Sequence, residues 1–459
     1  MAITVNQKAY SRQQISTNFK VAPAFAPAVF VVSSTLTANI NFRYVADVYI
    51  NEVFKVRLMF SPNSQTKGVV DVSNVLQDYV SQQVNGFNNG QTGGSSSKSG
   101  VHSNVELHSI HQIDQFSRNN EVMIGFEVKF GEMYQANAGA SPIIYDGAGA
   151  VGNPSISGDK FQVFNSAIWQ FSDLQGSNNV ENDYFMVAGT DQFLSIIDGS
   201  VKRKISLNQY HTLAFFNGLN RSGTTSLSDR INFRFYNAAN SQVLFFQQVN
   251  NDANGGSPYN SSSYNGDENL LFVGCGTQNI TNSGQTIPAD ATYYTMQVVQ
   301  GGSGRSQLYT FEIDNCNADT ERFKQFRLGW LNSLGGFDYY NFTMKNEKSF
   351  NIERQTFMKT VGTWQSDSYL YQQGERGIQD LNVDAFEVLK LQTDWISDNE
   401  VEMMRECFLS PMVWMLEGED VFPVNVESTN FIEYNQKNDK VFQYELDVKF
   451  SHKYRIQNG

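Results

Sequence analysis

The chain has 459 residues, with 33 Lys and Arg against 46 Asp and Glu, a formal net charge of −13, 40% hydrophobic residues, and 35 Phe and 21 Tyr. That length exceeds what one hydrophobic core usually organises. The aromatic content favours pleated, half-buried surfaces and hence a β-dominated chain, and an acidic chain without a Lys/Arg run has nothing to track a phosphate backbone, which argues against nucleic acid as a partner.

Only 17% of residues are charged, so Asn, Gln, Ser, Thr and Gly supply most of the polar surface, a composition suited to permanent assemblies or sugar contacts. The start, MAITVNQKAYSRQQ, lacks a charged region followed by an apolar core, so no export signal is expected. The most apolar early run, Val21 to Val32, is short and holds Pro23 and Pro27, which argues against a membrane span. Met1 to Ser34 is expected to be an extended arm leading into a strand, VFVVSST, and reaching toward a neighbour.

From Ile40 the apolar residues fall on even positions (Phe42, Tyr44, Ala46, Val48, Ile50), then resume at Phe54, Val56, Leu58 and Phe60 after Asn51 and Glu52, which predicts a half-buried hairpin. Asp71 is placed to cap a short helix whose Val72, Val75, Leu76, Tyr79 and Val80 form one apolar stripe. Asn85 to Gly100 has too little apolar content to offset its ordering entropy. Val122, Ile124, Phe126, Val128 and Phe130 alternate as a further strand, which completes a first β domain over residues 1–135.

A Gly/Ala/Ser/Pro-rich piece, QANAGASPIIYDGAGAVGNPSISG, is expected to connect that domain to a middle one. Over 136–315, short strands separated by turn signals predict a β-sandwich. They are Phe161 to Phe164, Ile205 to Leu207, Tyr210 to Phe216, a hairpin of Ile231 to Tyr236 with Val243 to Val249 across NAAN, then Leu270 to Val273, Thr292 to Val299 and Gln307 to Ile313.

The last region, 316–459, opens on the densest aromatic cluster of the chain. Phe326, Leu328 and Trp330 alternate with polar or small residues, Asn332 to Gly336 reads as a turn, and Phe337 to Met344 restarts as a strand, so the pattern is a hairpin whose aromatics belong to a core. Phe386, Val388 and Leu389 suggest a strand. Ser397 and Glu400 fit a capping box before a helix with Val401, Met404 and Phe408 on its apolar face, ended by Pro411. Strands follow at Met412 to Leu416, Val421 to Val426, Phe431 to Tyr434 and Val441 to Phe450. The expected fold class is therefore all-β dominated with minor α: two related sandwich- or barrel-like end domains, each with a short helix, flanking a middle β-sandwich.

No catalytic, cofactor-binding or metal residue is assigned. His102, His108 and His111 cluster near Glu106 and Asp114, but on a strand His108 and His111 point to opposite faces, so a structural reading outweighs a metal site. GAGAVG and GGSGRS join no strand to a helix and read as turns rather than phosphate cradles. No GxSxG elbow supports nucleophilic catalysis, and Cys407 on the apolar side of its helix reads as a buried thiol. The wide spacing of Cys275, Cys316 and Cys407 resembles neither a zinc site nor a disulfide framework, and one Cys275–Cys316 bridge stays open. Trp330 and Trp414 sit in strand patterns and are expected to face inward. Trp364 and Trp395 border loops and are the better interface candidates, while Trp169 and the pairs Tyr293–Tyr294 and Tyr339–Tyr340 have core packing as their default.

Three stretches resemble virion structural proteins of tailed bacteriophages, in particular tail-region proteins of phages of Bacteroidetes hosts, including crAss-like phages. They are YVADVYINEVFKVRLMFSPNSQTKGVVDVSNVLQDYV, the segment from Cys316 through FRLGWLNSLGGFDYYNFTMKNEKSFNIERQTFMKTVG, and the closing LQTDWISDNEVEMMRECFLSPMVWMLEGEDVFPVNVESTNFIEYNQKNDKVFQYELDVKFSHKYR. The resemblance implies a tail, baseplate or hub subunit, made in the host cytoplasm, assembled as a homo-oligomeric ring and touching other virion tail or portal-proximal proteins. It carries no catalytic residue over, and neither an enzyme nor membrane insertion is expected. The alternative is a carbohydrate-binding module or polysaccharide depolymerase on the virion, contacting a host surface glycan through residues 136–315.

Overall fold

The computed structural model describes residues 3–7, 21–80, 113–114, 123–167, 184–186, 189–217, 230–249, 270–314, 324–359, 361–362, 374, 377–418, 420–428, 431–432 and 441–457. It is a β-dominated chain of open sheets, with three helices and no closed barrel among the described residues. It divides into two compact units. The first comprises Met1–Asn315 with Asn332–Asp338, the second Cys316–Leu331 with Tyr339–Gly459.

The first unit begins with β1 (Ile3–Gln7), β2 (Val21–Pro23), β3 (Val29–Ser34), β4 (Ile40–Ile50), β5 (Val53–Phe60), β6 (Lys67–Asp71) and α1 (Ser73–Gln77). After β7 (Ile113–Asp114) come β8 (Met123–Gln135), β9 (Ile143–Tyr145) and β10 (Ile156–Phe164). A three-stranded sheet, β1-β3-β6, and a larger sheet, β2-β10-β8-β4-β5, contribute to one core. Phe30, Val32 and Val70 come from the first sheet, and Tyr44, Val48, Phe126 and Phe130 from the second. The even-numbered residues of β4 from Phe42 to Ile50 are buried as the alternation predicts. Asn51 and Glu52 both take positive φ (46° and 65°), the backbone that a two-residue hairpin with right-handed twist requires. Asp71 accepts from the Ser73 amide (2.9 Å) and the Ala28 amide (3.1 Å), tying the start of α1 to the strand beside it.

Two expectations fail here. Residues 3–7 are no free arm: Ile3 is buried and β1 pairs antiparallel with β3, because an apolar residue at the chain start gains more inside the sandwich than in water. The Gly/Ala-rich stretch after β8 is built into the sheet as well, since β9 and β10 both pair with β8. Backbone pairing needs no apolar side chain, so composition alone reads such a stretch as a connection.

Next come β11 (Phe185–Met186), β12 (Arg203–Ser206), β13 (Thr212–Asn217), β14 (Arg230–Asn237), β15 (Gln242–Val249), β16 (Leu270–Gly274), α2 (Thr277–Asn282), β17 (Ala291–Gln300), β18 (Ser303–Gly304) and β19 (Tyr309–Asp314). A sheet β11-β13-β16-β7 and a sheet β12-β19-β17-β14-β15 share a core of Leu213, Phe215 and Val273 with Phe233, Phe235, Tyr294 and Phe311, which is the expected sandwich. The hairpin across NAAN forms with Asn240 at positive φ. Helix α2 has no apolar period and is held by polar bonds instead: Asn279 Oδ1 accepts from the Gly276 and His211 amides, and Thr277 donates to the Ser206 carbonyl.

The second unit contains β20 (Phe326–Leu331), β21 (Phe337–Phe342, whose first two residues belong to the first unit), β22 (Asn346–Met358), β23 (Ile378–Gln392) and β24 (Ile396–Ser397). It continues with α3 (Asp398–Leu409), β25 (Val413–Glu417), β26 (Asp420–Val426), β27 (Val441–Phe442), β28 (Glu445–Phe450) and β29 (Arg455–Gln457). One sheet runs β21-β20-β25-β26-β28-β23-β22, with β29 also on β23. Glu400 accepts from both the amide and the hydroxyl of Ser397 at 2.9 Å, so the predicted cap forms, and Val401, Met404 and Cys407 are buried. Phe431 and Ile432 are not in a strand; Phe431 instead stacks on Tyr444 at 4.6 Å and packs against Phe408. The long strand expected over Val441 to Phe450 breaks at Gln443–Tyr444, where the Thr393 amide donates to the Tyr444 carbonyl, the Tyr444 amide donates to the Thr393 hydroxyl, and β27 leaves to pair with β24.

Candidate functional site

The most concentrated polar chemistry lies in the first unit, where the turn Asn332–Asp338 packs against residues 193–203. Asn332 organises the turn: its Oδ1 accepts from the Leu334 and Gly336 amides, and its Nδ2 donates to Asp338 (2.7 Å) and to the Leu194 carbonyl. Gly336 is required by contact, because a Cβ there would lie 1.9 Å from the Leu194 carbonyl oxygen. Asp338 accepts from the Ser195 hydroxyl and the Ile196 amide. Arg203 donates to the Ser195 hydroxyl (3.0 Å) and to the Ile197 and Asp198 carbonyls, with its guanidinium 4.6 Å from the Tyr309 ring centre.

Asp338, Ser195, Asn332, Arg203 and Tyr309 are all buried. Burial pushes the Asp338 carboxyl up and the Arg203 guanidinium down, each opposed by the other's charge, and burial pushes the Tyr309 phenol up to about 12. Ser195 donates to a carboxylate and accepts from a guanidinium, so its hydroxyl is committed to holding the turn. The cluster is a polar clasp: two opposite charges in low dielectric, satisfied by hydrogen bonds and fixing one backbone arrangement.

Other polar features are likewise built into the fold. In the GAGAVG loop the Asp146 carboxylate accepts from the amides of Ala148, Gly149 and Ala150, so the turn's donors are filled by the chain's own anion, as a turn reading requires. Asp47, buried on β4, takes a two-pronged bond from Arg57 on β5 at 2.7 Å. Glu132 is fully buried on β8; one oxygen accepts from Ser34, the other has no partner among the described residues, and burial pushes the carboxyl above its ordinary value.

His102, Glu106, His108, His111, Cys316, Trp169 and Trp364 lie outside the described residues. Asp114 is in β7, and no group of three potential metal ligands occurs among the described residues. Cys275 and Cys407 are both buried, and burial raises the Cys407 thiol. Trp330 and Trp414 are buried as expected, and Trp395 is 59% exposed. Of the tyrosine pairs, Tyr294 is buried and donates to the Cys275 carbonyl, Tyr293 stacks on Tyr236 at 4.9 Å, Tyr339 is buried, and the Tyr340 hydroxyl accepts from the Asp394 amide.

Two surfaces remain. On the outer face of β14, β15 and β17, Asn232 accepts from Gln247 (2.8 Å), Arg230 donates to Gln247, and Arg234 lies 5.5 Å from the ring centre of exposed Phe245. This is a polar face with aromatic material in it. The second surface is the β22–β23 ribbon, thirteen residues of β22 paired with β23. Every residue of β22 after Asn346 is exposed, including Phe350, Ile352, Phe357 and Met358. Alternation places Lys348, Phe350, Ile352, Arg354 and Met358 on one face. Lys348 pairs with Glu387 (2.7 Å) and Arg354 with Asp380 (2.9 Å), both inside the ribbon. The charges of Glu347, Lys348, Glu353 and Arg354 are the sequence signal of that exposure.

No helix among the described residues is long and apolar enough to cross a membrane. Comparison with protein-family models finds no match, and comparison with curated proteins finds none either.

Proposed function

We propose that this chain is a structural subunit of a bacteriophage virion, from the tail, baseplate or hub region, that assembles with copies of itself and contacts other virion proteins. The single observation that supports the reading is the β22–β23 ribbon: a long, regular, exposed strand edge carrying Phe350, Ile352, Phe357 and Met358 is the kind of surface that a permanent neighbour covers. The buried clasp around Asp338 fits the same role, since its polar groups hold backbone rather than face a substrate. Symmetric closure of copies would keep such an edge from open-ended aggregation. Mass spectrometry of purified particles tests the reading: the expected result is the intact chain at a fixed ratio to the other particle proteins, and its absence from particles overturns the proposal.

A second reading is favoured by the outer face of β14, β15 and β17, where Asn232, Gln247, Arg234 and Phe245 offer hydrogen-bonding groups beside an aromatic ring, the material of a glycan contact. A glycan array probed with the full chain and with Phe245→Ala tests it. Binding lost in the variant supports a host-glycan contact, and no binding by the full chain removes it.

A further inference from the structure

We infer that β22 is a self-pairing edge: in the assembled protein it hydrogen-bonds antiparallel to β22 of a second copy about a two-fold axis at Ile352, making one sheet continuous across both copies. The inference rests on the assembling-subunit reading only in taking a second copy as the occupant.

Among the described residues β22 ends its sheet, and the opposite end, β21, has every residue buried except Tyr340. The free edge therefore cannot be completed by the other edge of the same sheet in a head-to-tail ring, and an isologous contact is the closed alternative. Proteins guard free edges with prolines, bulges, short strands or unpaired charges. Here β22 is thirteen residues long and contains no proline. The one register shift lets Leu381 bulge from β23, so β22 itself stays regular. Its two basic residues are paired within the ribbon, Lys348 with Glu387 and Arg354 with Asp380.

Charge identifies the occupant. The whole chain carries −13, so most faces of two copies repel, whereas Asn346–Met358 holds two acidic residues, Glu347 and Glu353, and two basic ones, Lys348 and Arg354. An antiparallel pair related by a two-fold axis normal to the sheet must centre on one residue facing itself. Centring on Ile352, the middle of the strand, aligns all thirteen positions and places no charge directly opposite a like charge. Glu347 then faces Phe357, Lys348 faces Thr356, Asn351 faces Glu353, and Arg354 of each copy faces Phe350 of the other, a cation–π arrangement occurring twice. Ile352, 54% exposed in the single chain, meets its own counterpart at the axis.

The test is the solution mass of the full chain by light scattering after size exclusion, at on the order of 50 µM, well above a micromolar Kd. Wild type is expected at twice the 51.7 kDa chain mass or a multiple of it. Ile352→Lys puts two ammonium groups at the axis and is expected to lower the mass at least twofold with an unchanged circular dichroism spectrum, as is Ile352→Glu; mixing the two variants restores the wild-type mass. A single-chain mass for wild type, a mass unchanged by Ile352→Lys, or a mixture that stays dissociated overturns the inference. A chain that pairs in solution but is absent from particles leaves the pairing standing and removes the virion reading instead.

Discussion

Two hairpins stand next to each other in the sequence and differ in almost everything but their strand pattern. The first, β20–β21 with the turn Asn332–Gly336, is buried on both faces: Leu328, Trp330, Phe337 and Phe342 are all inside. The second, β22–β23, has an outer strand exposed on both faces. What separates them is charge: Phe326–Phe342 carries one Arg and one Asp, each buried, while Asn346–Met358 carries four charged residues in thirteen. Apolar residues among charges, as at Phe350 and Ile352, remain at the surface because burying the strand would desolvate the charges beside them.

Substitutions on the two sides of this contrast should diverge. The largest effect is expected at Trp330, whose truncation to Ala leaves a cavity worth about 3–5 kcal/mol, read as a lower guanidinium unfolding midpoint; a loss under about 1 kcal/mol would break the contrast. Gly336→Ala should cost about 3 kcal/mol or more, since the added methyl meets the Leu194 backbone rather than a movable side chain. Asp338→Asn keeps the shape and, with its oxygen in the place of Oδ2, still accepts from the Ile196 and Asn332 N–H groups, but it turns an NH2 toward the Ser195 hydroxyl in place of an acceptor, and should cost about 1–3 kcal/mol.

Glu132 gives a smaller effect, dependent on pH. Its carboxyl is held above the unfolded value, so the folded chain binds the proton more tightly; stability is greatest below the unfolded pKa and is lost as pH rises through the folded one. Glu132→Gln should flatten that slope in thermal melts from about pH 4 upward, and a slope unchanged by the substitution would assign it elsewhere. Smallest of all, Ile352→Ala should change the stability of the dilute chain by less than about 0.5 kcal/mol, which sharpens the comparison because the same residue is the one expected to govern association.

Local features were legible wherever local chemistry decides them. The Asn51–Glu52 and NAAN hairpins need positive φ at particular positions, and the Ser397–Glu400 cap closes within one helical turn. Pairing partners were not legible. Strand β10 joins β8 across a glycine-rich loop and β7 crosses to β16, and no periodicity records either choice. The clasp was hidden for the same reason: Ser195 and Asp338 are 143 residues apart, and a serine in QFLSIID or an aspartate in GGFDYY looks unremarkable until the chain brings them together. Of the surface candidates, Trp395 could be placed at a loop border, but the exposure of β22 depends on which neighbour it lacks.

The discontinuity of the first unit bears on how the chain is made. Its last contributing residues are Asn332–Asp338, reached only after Cys316–Leu331 of the second unit. On the ribosome, Arg203 and Ser195 therefore emerge long before the carboxylate that completes their network, and the first unit cannot reach its final polar arrangement until the start of β21 has been synthesised. A truncation at Asn315 would yield a fragment permanently lacking Asp338, with a cationic side chain and a hydroxyl facing an incomplete site, so a domain expressed to that boundary should be recovered poorly.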